Sequence, residues 1–334
     1  MQFKQPPLLY NERGETRTAG FELEFSNVGI EEAVQIIREL YGGEIEIEGR
    51  FRHKVLNTSI GDFTVEFDSV LLTEKRYKTI FDTLNIHPEE VNLGTYTLEE
   101  GVETVLEGIV GKLLPYEIAC PPVPFTELDK VEKLRIELYK HRAEGTQAFP
   151  TNAFGTHINV EVPDTKPETL LNYIRAVILL HPWLLEAGQT DLARKISPFI
   201  VPYPAKYAEL ILAPGYEPDL DELINDYHRY NPDRNRPLDM YPVFAHINPD
   251  LLNQFDDLGK VKPRRTFHYR LPNSSISLPD WSLAQEWNLW VLIEEVATDT
   301  QRLAEMSQEY RYLKEHTLIG FDGKWIKRTE QWLS

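Results

Sequence analysis

The strict alternation in Gly20-Phe21-Glu22-Leu23-Glu24-Phe25 constrains this chain more than any other stretch. Phe21, Leu23 and Phe25 go to one side of an extended strand and Glu22 and Glu24 to the other, so the segment belongs in a sheet with one apolar and one polar face. Alternate residues lie about 6.6 Å apart along a strand. Two carboxylates so spaced can aim at one hard cation, which takes one or two carboxylates while water and phosphate complete its shell. The plainer reading is a half-exposed strand whose polar face is glutamate. Glu44-Ile45-Glu46-Ile47-Glu48 repeats the pattern with a third glutamate and serves as an internal control, expected to lie away from any cation face. Clustered like charges also predict that Glu22→Ala and Glu24→Ala leave the fold intact or firmer.

The same two-residue period predicts strands over 20–25, 44–48, 63–72, 116–119, 157–162 and 266–271, with a polar connector containing Asn57 and Gly61 between the second and third. Helical spacing covers 29–41, 73–84, 97–114, 126–141 opened by a Thr126/Asp129 cap, and 167–185 with a kink or break at Pro182. It returns over 219–230, 238–252 and, capped by Asp280, over one long helix from 281 to about 315. Strands that alternate with helices or long loops predict an α+β fold with a mainly antiparallel sheet. No Gly-x-Gly-x-x-Gly opens a helix after a strand, which argues against a doubly wound dinucleotide fold.

At 334 residues, 42% hydrophobic and 11% aromatic, the chain can bury a large core. Its formal charge of −18 argues against nucleic acid or an anionic membrane as a partner. A lone cysteine, Cys120, excludes an internal disulfide and fits a reducing compartment; it reads as a buried structural thiol. The first ten residues carry Pro6-Pro7 and no long apolar core, and the apolar run 176–180 stops at His181-Pro182, so the expected location is the cytoplasm.

Further polar residues share the strand pattern of Glu22 and Glu24. Asp68 follows Glu66-Phe67, Glu117 precedes Ile118-Ala119, His157 and Asn159 flank Ile158, and His268 and Arg270 flank Tyr269. Each alone is compatible with a solvated strand face. Together they comprise carboxylates, imidazole, amide and guanidinium, the side chains that hold Mg²⁺ and balance phosphate. Arg229, Arg234 and Arg236 either clamp an anion or offset the neighbouring Asp226, Asp233 and Asp239. Trp281, Trp287 and Trp290 are expected to pack on the sheet or in an interface.

The order of these segments resembles a family. Gly20-Phe21-Glu22-Leu23-Glu24, Glu66-Phe67-Asp68-Ser69, Tyr116-Glu117-Ile118-Ala119-Cys120-Pro121-Pro122 and Phe154-Gly155-Thr156-His157-Ile158-Asn159-Val160 are similar to the amidoligases, within the glutamine synthetase and glutamate–cysteine ligase superfamily of carboxylate–amine ligases. Asp233-Arg234-Asn235-Arg236-Pro237-Leu238-Asp239-Met240 and the strand ending at Arg270 extend the likeness, which spans roughly residues 18 to 275. The resemblance implies a glutamine-synthetase-like, mainly antiparallel curved sheet with helices on one face. It implies a catalytic domain over 1–275 and a C-terminal helical extension over 276–334 packed on it.

Carried over by position, the resemblance makes Glu22, Glu24, Glu117, His157 and His268 metal ligands, and Asn159, Arg270 and Arg236 ATP or phosphate contacts. Asp68 and Arg270 become catalytic, with Asp68 receiving the amine. Three positions depart from the pattern: Asn159 stands where a second His is usual, His268 where a Glu is usual, and Ser69-Val70 where Gly-Ser is usual. The implied activity is an ATP-dependent ligase that uses Mg²⁺ or Mn²⁺ and joins a small-molecule or peptide carboxylate to an amine through an acyl phosphate. The alternatives are an altered or inactive member that acts as a binding or assembly module, and another metal-dependent phosphotransferase or hydrolase. A homo-oligomer is compatible with each.

Overall fold

In the computed structural model, which describes residues 1–49, 51–67, 116–146, 154–195, 200–256, 258–259 and 261–334, the alternating stretch becomes strand β1 (Thr18–Phe25). It lies inside an antiparallel sheet with β2 (Glu44–Gly49), β3 (Arg52–Thr58), β4 (Gly61–Phe67), β5 (Tyr116–Ala119), β6 (Val123–Pro124), β7 (Thr156–Glu161), β8 (Leu238–Asp239) and β9 (Thr266–Tyr269). The strand order is β2-β3-β4-β5-β1-β7-β9-β8, and β6 pairs with the start of β1. Pairing is antiparallel throughout the described residues. The fold is therefore α+β.

Phe21, Leu23 and Phe25 are fully buried in the main core, which Ile118, Ile158, Val160 and Phe267 of neighbouring strands join. Helix α1 (Ile30–Tyr41) turns Ala33, Ile36 and Ile37 inward and packs against β3 and β4. Helix α2 (Asp129–Lys140) packs on α1. Helix α3 (Pro167–Ala187) is buried along most of its length, with Pro167 in the first turn, where its missing N–H costs nothing. Shorter helices α4 (Leu192–Lys195), α5 (Ala205–Ile211), α6 (Leu220–Tyr230), α7 (Tyr241–Ile247) and α8 (Pro249–Leu252) follow. Helices α9 (Leu283–Thr298), α10 (Thr300–His316) and α11 (Phe321–Leu333) all pack on α3. No helix of the described residues is long and apolar enough to cross a membrane.

Several local expectations change. The connector between the second and third predicted strands contains β3, whose His53 and Val55 point inward. Helix α3 continues past Pro182 without ending, and in the turn before it Trp325 of α11 donates to the Leu179 carbonyl at 2.6 Å. The stretch 238–252 is a strand followed by two short helices, each with a proline in its first turn. The long C-terminal helix divides where Asp299 accepts from Arg302 N at 3.0 Å and so starts α10. Ser282 with Gln285, rather than Asp280, caps α9, and no side chain caps α2. Trp287 meets Phe125, and Trp290 lies against Tyr173, Phe267 and Tyr269 over the sheet. The helices expected over 73–84 and 97–114, and the strand beyond Phe67, fall outside the described residues.

A buried arginine joins these layers. Arg17, immediately before β1, meets Glu294 of α9 through two hydrogen bonds, 2.5 and 3.1 Å, and both side chains are wholly buried. Its remaining donors reach the Glu161 carbonyl at 2.9 and 2.7 Å and the Leu8 carbonyl at 2.6 Å. Phe125 lies under the guanidinium, 4.9 Å from ring centre to charge. Removing one member of such a pair leaves an uncompensated buried charge. Arg17→Ala should lower the unfolding free energy by about 3–5 kcal/mol in denaturant titrations. Arg17→Met with Glu294→Leu should recover only part of this, because Glu161 and Leu8 still lose their donors.

Glu286 of α9 gives a pH signature. Burial pushes its carboxyl up to about 7, although a hydrogen bond from Trp281 Nε1 and the charge of Arg194 pull it down. The folded protein thus holds a proton that an unfolded glutamate releases near pH 4.3. This contribution is fully present below about pH 4.3 and is lost as pH rises toward 7, at up to about 1.4 kcal/mol per pH unit. Glu286→Gln keeps an acceptor for Trp281, so thermal melts across pH 4–8 should flatten and the variant should exceed wild type at pH 8.

Candidate functional site

Residues directly opposed across a sheet share a face, so the pairing register places the polar side chains in rows. Glu66, Glu117 and Glu24 form one row over β4, β5 and β1, and it ends at Gly155 just before β7. Ala119, Glu22 and His157 form the second. Gly20, Asn159, His268 and Asp239 form the third, over β1, β7, β9 and β8. The period of two sends all of them to the face opposite Phe21 and Leu23.

Glu22 stands where these rows meet. Its Oε1 accepts from Asn159 Nδ2 at 2.9 Å and from an Arg264 Nη1 donor at 3.1 Å. Its Oε2 lies 3.2 Å from His157 Nδ1 and 3.6 Å from His268 Nε2. Burial opposes charge on Glu22, but the hydrogen bond with His157 and the charge of Arg264 outweigh it and hold the carboxyl well below the usual range. Burial, followed by Arg270, moves His268 the other way, well below the ordinary imidazole value, so this ring is neutral at neutral pH. Neither ring nitrogen of buried His268 has a hydrogen-bond partner, nor does Asn159 Oδ1.

Glu24 lies on the other side of His157. Its Oε2 accepts from Gly155 N at 2.7 Å, and Oε1 is 3.7 Å from His157 Nε2. Gly155 has no side chain for a reason: an added Cβ would sit 2.5–2.9 Å from the guanidinium of Arg194, which fills that space and donates to the Arg270 carbonyl at 2.6 Å. Two trios, Glu22–His157–His268 and Glu24–Glu117–His157, each bring ligand atoms within 4.8 Å of one another. Three carboxylates and two imidazoles at this spacing are a donor set that fits a divalent cation, and the partnerless nitrogens of His268 agree with that.

The five sequence-predicted metal ligands therefore converge, with Asn159 among them. Arg270 adjoins His268, its backbone N–H bonded to Pro237 O and its Nε without an acceptor. Arg236 sits differently: it is buried and donates to Asn231 Oδ1 at 2.8 Å and Asp233 Oδ2 at 3.0 Å, knitting its own loop. Arg234 bonds to buried Asp239 at 3.1 Å, and Arg229 pairs with Asp226. Asp68 lies outside the described residues. Burial pushes the Cys120 thiol far up, which leaves it inert at neutral pH. The control glutamates require a correction. The register Glu46–Lys54–Thr64–Ala119–Glu22 puts Glu46 on the same face as the site, but four strands away, about 19 Å at 4.8 Å per strand. All three control glutamates are exposed, and Glu48 pairs with Lys54 and Arg52.

Four residues escaped the sequence reading: Arg264, Arg265, Arg194 and Glu161. The signal for the first two was the basic run Lys262-Pro263-Arg264-Arg265 against a strand. For Arg194 it was the glycine it overlies. A cavity of about 730 Å³ opens beside Glu22, lined by Gly20, Asn159, Glu161, Arg264 and Arg265 among others. Buried Glu161 accepts there from Asn11 Nδ2 at 2.8 Å and Thr18 N at 3.1 Å.

The antiparallel sheet thus carries an acid–imidazole cluster beside an open cavity to which Glu22, Glu161, Arg264 and Arg265 contribute. Residues 15–292 match the family described as "Putative amidoligase enzyme", and the chain belongs to that family, one named for ligases that form amide bonds. No curated protein and no solved structure matches the chain.

The contacts of Glu22 overturn the expectation that its removal is neutral or firming. With a chelator present, Glu22→Gln should cost about 1–3 kcal/mol at pH 7, since Arg264 and His157 lose a charged acceptor. A carboxyl held below its unfolded value contributes stability above about pH 4.3 and loses it as pH falls through the folded value. Thermal melts between pH 2 and 7 should therefore show an acid limb that is shallower in Glu22→Gln than in wild type.

Proposed function

We propose that the protein is an ATP-dependent carboxylate–amine ligase built on a sheet of the glutamine-synthetase kind, and that it forms its amide through an acyl phosphate. The observation that carries this reading is the polarity of one sheet face. Carboxylates of β4, β5 and β1 occupy one end, and Arg264, Arg265 and Arg270 on and around β9 occupy the other, beside a cavity. Such a face suits a nucleotide triphosphate that carries a cation, whose phosphate oxygens need metal on one side and guanidinium on the other.

Mg²⁺ or Mn²⁺ held among Glu22, Glu24, Glu117, His157 and His268 would neutralise the charge that develops on the transferring phosphoryl group. Arg270 and Arg264 balance the phosphate oxygens, a role that Arg236 cannot share while Asn231 and Asp233 hold it. Asn159 lines the cavity with an unpartnered amide oxygen that can accept from a substrate N–H. The substrate carboxylate attacks the γ-phosphorus and ADP leaves. The amine then attacks the acyl carbon, phosphate departs, and Asp68 takes the amine's proton.

Incubating the chain with Mg²⁺–ATP, pooled amines and ¹⁸O-labelled carboxylates tests this. The expected outcome is ADP release that depends on both substrates, with one ¹⁸O appearing in the phosphate. Arg270→Ala should lower turnover about 10²–10³-fold with the fold intact. ADP release without ¹⁸O transfer would point to a phosphotransferase or hydrolase, and absence of nucleotide binding to an assembly module.

A further inference from the structure

Gly155 holds Glu24 at two points. Its N–H donates to Glu24 Oε2 at 2.7 Å, and its carbonyl accepts from Glu24 N at 3.1 Å. The side chain of Glu24 therefore follows the position of one peptide just before β7. Gly155 does not need glycine for its backbone, because its φ lies outside the left-handed region. It needs glycine for space alone. The atoms an added Cβ would strike are Nη1, Nη2 and Cζ of Arg194, at 2.5, 2.7 and 2.9 Å, so the guanidinium rests directly against this residue.

The same guanidinium reaches the other end of the site. Its Nη2 donates to the Arg270 carbonyl at 2.6 Å, while Arg270 N donates to Pro237 O at 2.9 Å, so the backbone that carries Arg270 is held from both sides. Arg194 is itself placed by a short path of polar contacts. Asn273, bridged to Gly155, accepts from Asp191 N at 3.1 Å and donates to the Gln189 carbonyl at 3.0 Å, which fastens the loop after α3 to the segment beyond Arg270. Asp191 O then accepts from Arg194 N at 3.1 Å. Burial pulls the Arg194 guanidinium down to about 10, against Glu24, Glu286 and Asp191, so it keeps its charge at neutral pH. At 2% exposure Arg194 is too deep to touch a substrate.

We propose that Arg194 is a positioning residue of the reaction: through Gly155 it sets the carboxylate of Glu24, and through the Arg270 carbonyl it sets the guanidinium that balances phosphate. One buried side chain then fixes the spacing between the acid row of β4, β5 and β1 and the basic end of β9. A shift of about 1 Å between such groups costs on the order of 10²-fold in rate. This role rests on the ligase reading above for what the spacing serves, but not for the contacts themselves.

The test uses the full chain. Phe154-Gly155 is the only Phe-Gly pair in the sequence, so carbonyl ¹³C-phenylalanine with ¹⁵N-glycine singles out the Gly155 amide by NMR. A hydrogen bond to a carboxylate places that proton downfield and slows its exchange. Glu24→Gln should move it upfield. Arg194→Met should do the same, with exchange about tenfold faster, in a protein that still melts cooperatively. In the ADP-release assay with Mg²⁺–ATP, pooled carboxylates and amines, kcat of Arg194→Met should fall about 10–100-fold with the KM for ATP changed less than about threefold. Arg194→Lys, which keeps the charge but loses the fork, should lie between, and it supplies both readings if the methionine variant fails to fold. An unshifted Gly155 amide, or a wild-type kcat, in the folded variant overturns the proposal. A wild type that turns over no substrate refutes the ligase reading instead, and the amide alone then decides whether Arg194 sets Glu24.

Discussion

The buried bidentate contact between Arg17 and Glu294 is the interaction on which the rest of this structure depends. It takes all the donors of one guanidinium and spends them on three separate parts of the chain: the N-terminal segment at Leu8, the end of β7 at Glu161 and helix α9. Arg17 immediately precedes β1, so this contact sets where β1 enters the sheet relative to β7. A one-residue slip would turn every side chain of β1 to the opposite face. The core packing of Phe21 and the placement of Glu22 against His157 therefore rest on the same anchored register.

From that register follows a division of charge across one face. The strands on one side of β1 present Glu117 and Glu66, while β7, β8 and β9 on the other side present imidazole, amide and guanidinium together with buried Glu161 and Asp239. Carboxylates set side by side raise the cost of ionising one another, and Arg52 beside Glu66 and Arg194 beside Glu24 offset part of it. The junction of the two sides is Glu22, whose ionised form is favoured by donors from β7 and the segment before β9. A carboxylate that answers to four neighbours belongs to the framework of the site as much as to its chemistry.

The substitutions that set this chain apart from the amidoligase pattern fit the same picture. An imidazole at 268, flanked by Arg270 and Arg264, avoids burying a second carboxylate and remains neutral there. Asn159 donates one hydrogen bond to Glu22 without adding charge. Both changes lower the acid count near β9 and deepen the contrast with the Glu24–Glu117 row.

Sequence alone determined the strands that carry the site, because a two-residue period is a local property: Phe21, Leu23 and Phe25 bury together only if Glu22 and Glu24 face away. The same logic read His157 with Asn159 and His268 with Arg270. It missed β3, where lysine and asparagine blur the alternation, and it ran α9 into α10 because helical spacing continues across the Asp299 cap. What only the tertiary structure decided is which charges meet. Arg264 reaches Glu22 across 242 positions of chain, and Arg194 fills the space above Gly155, contacts with no local signature. Arg236 and Arg270 look equally able to hold phosphate in the sequence, yet folding ties one to Asn231 and Asp233 and sets the other beside His268. Periodicity is written in neighbouring residues, whereas the partners of a buried charge are chosen by strand order and loop path, which no window of sequence contains.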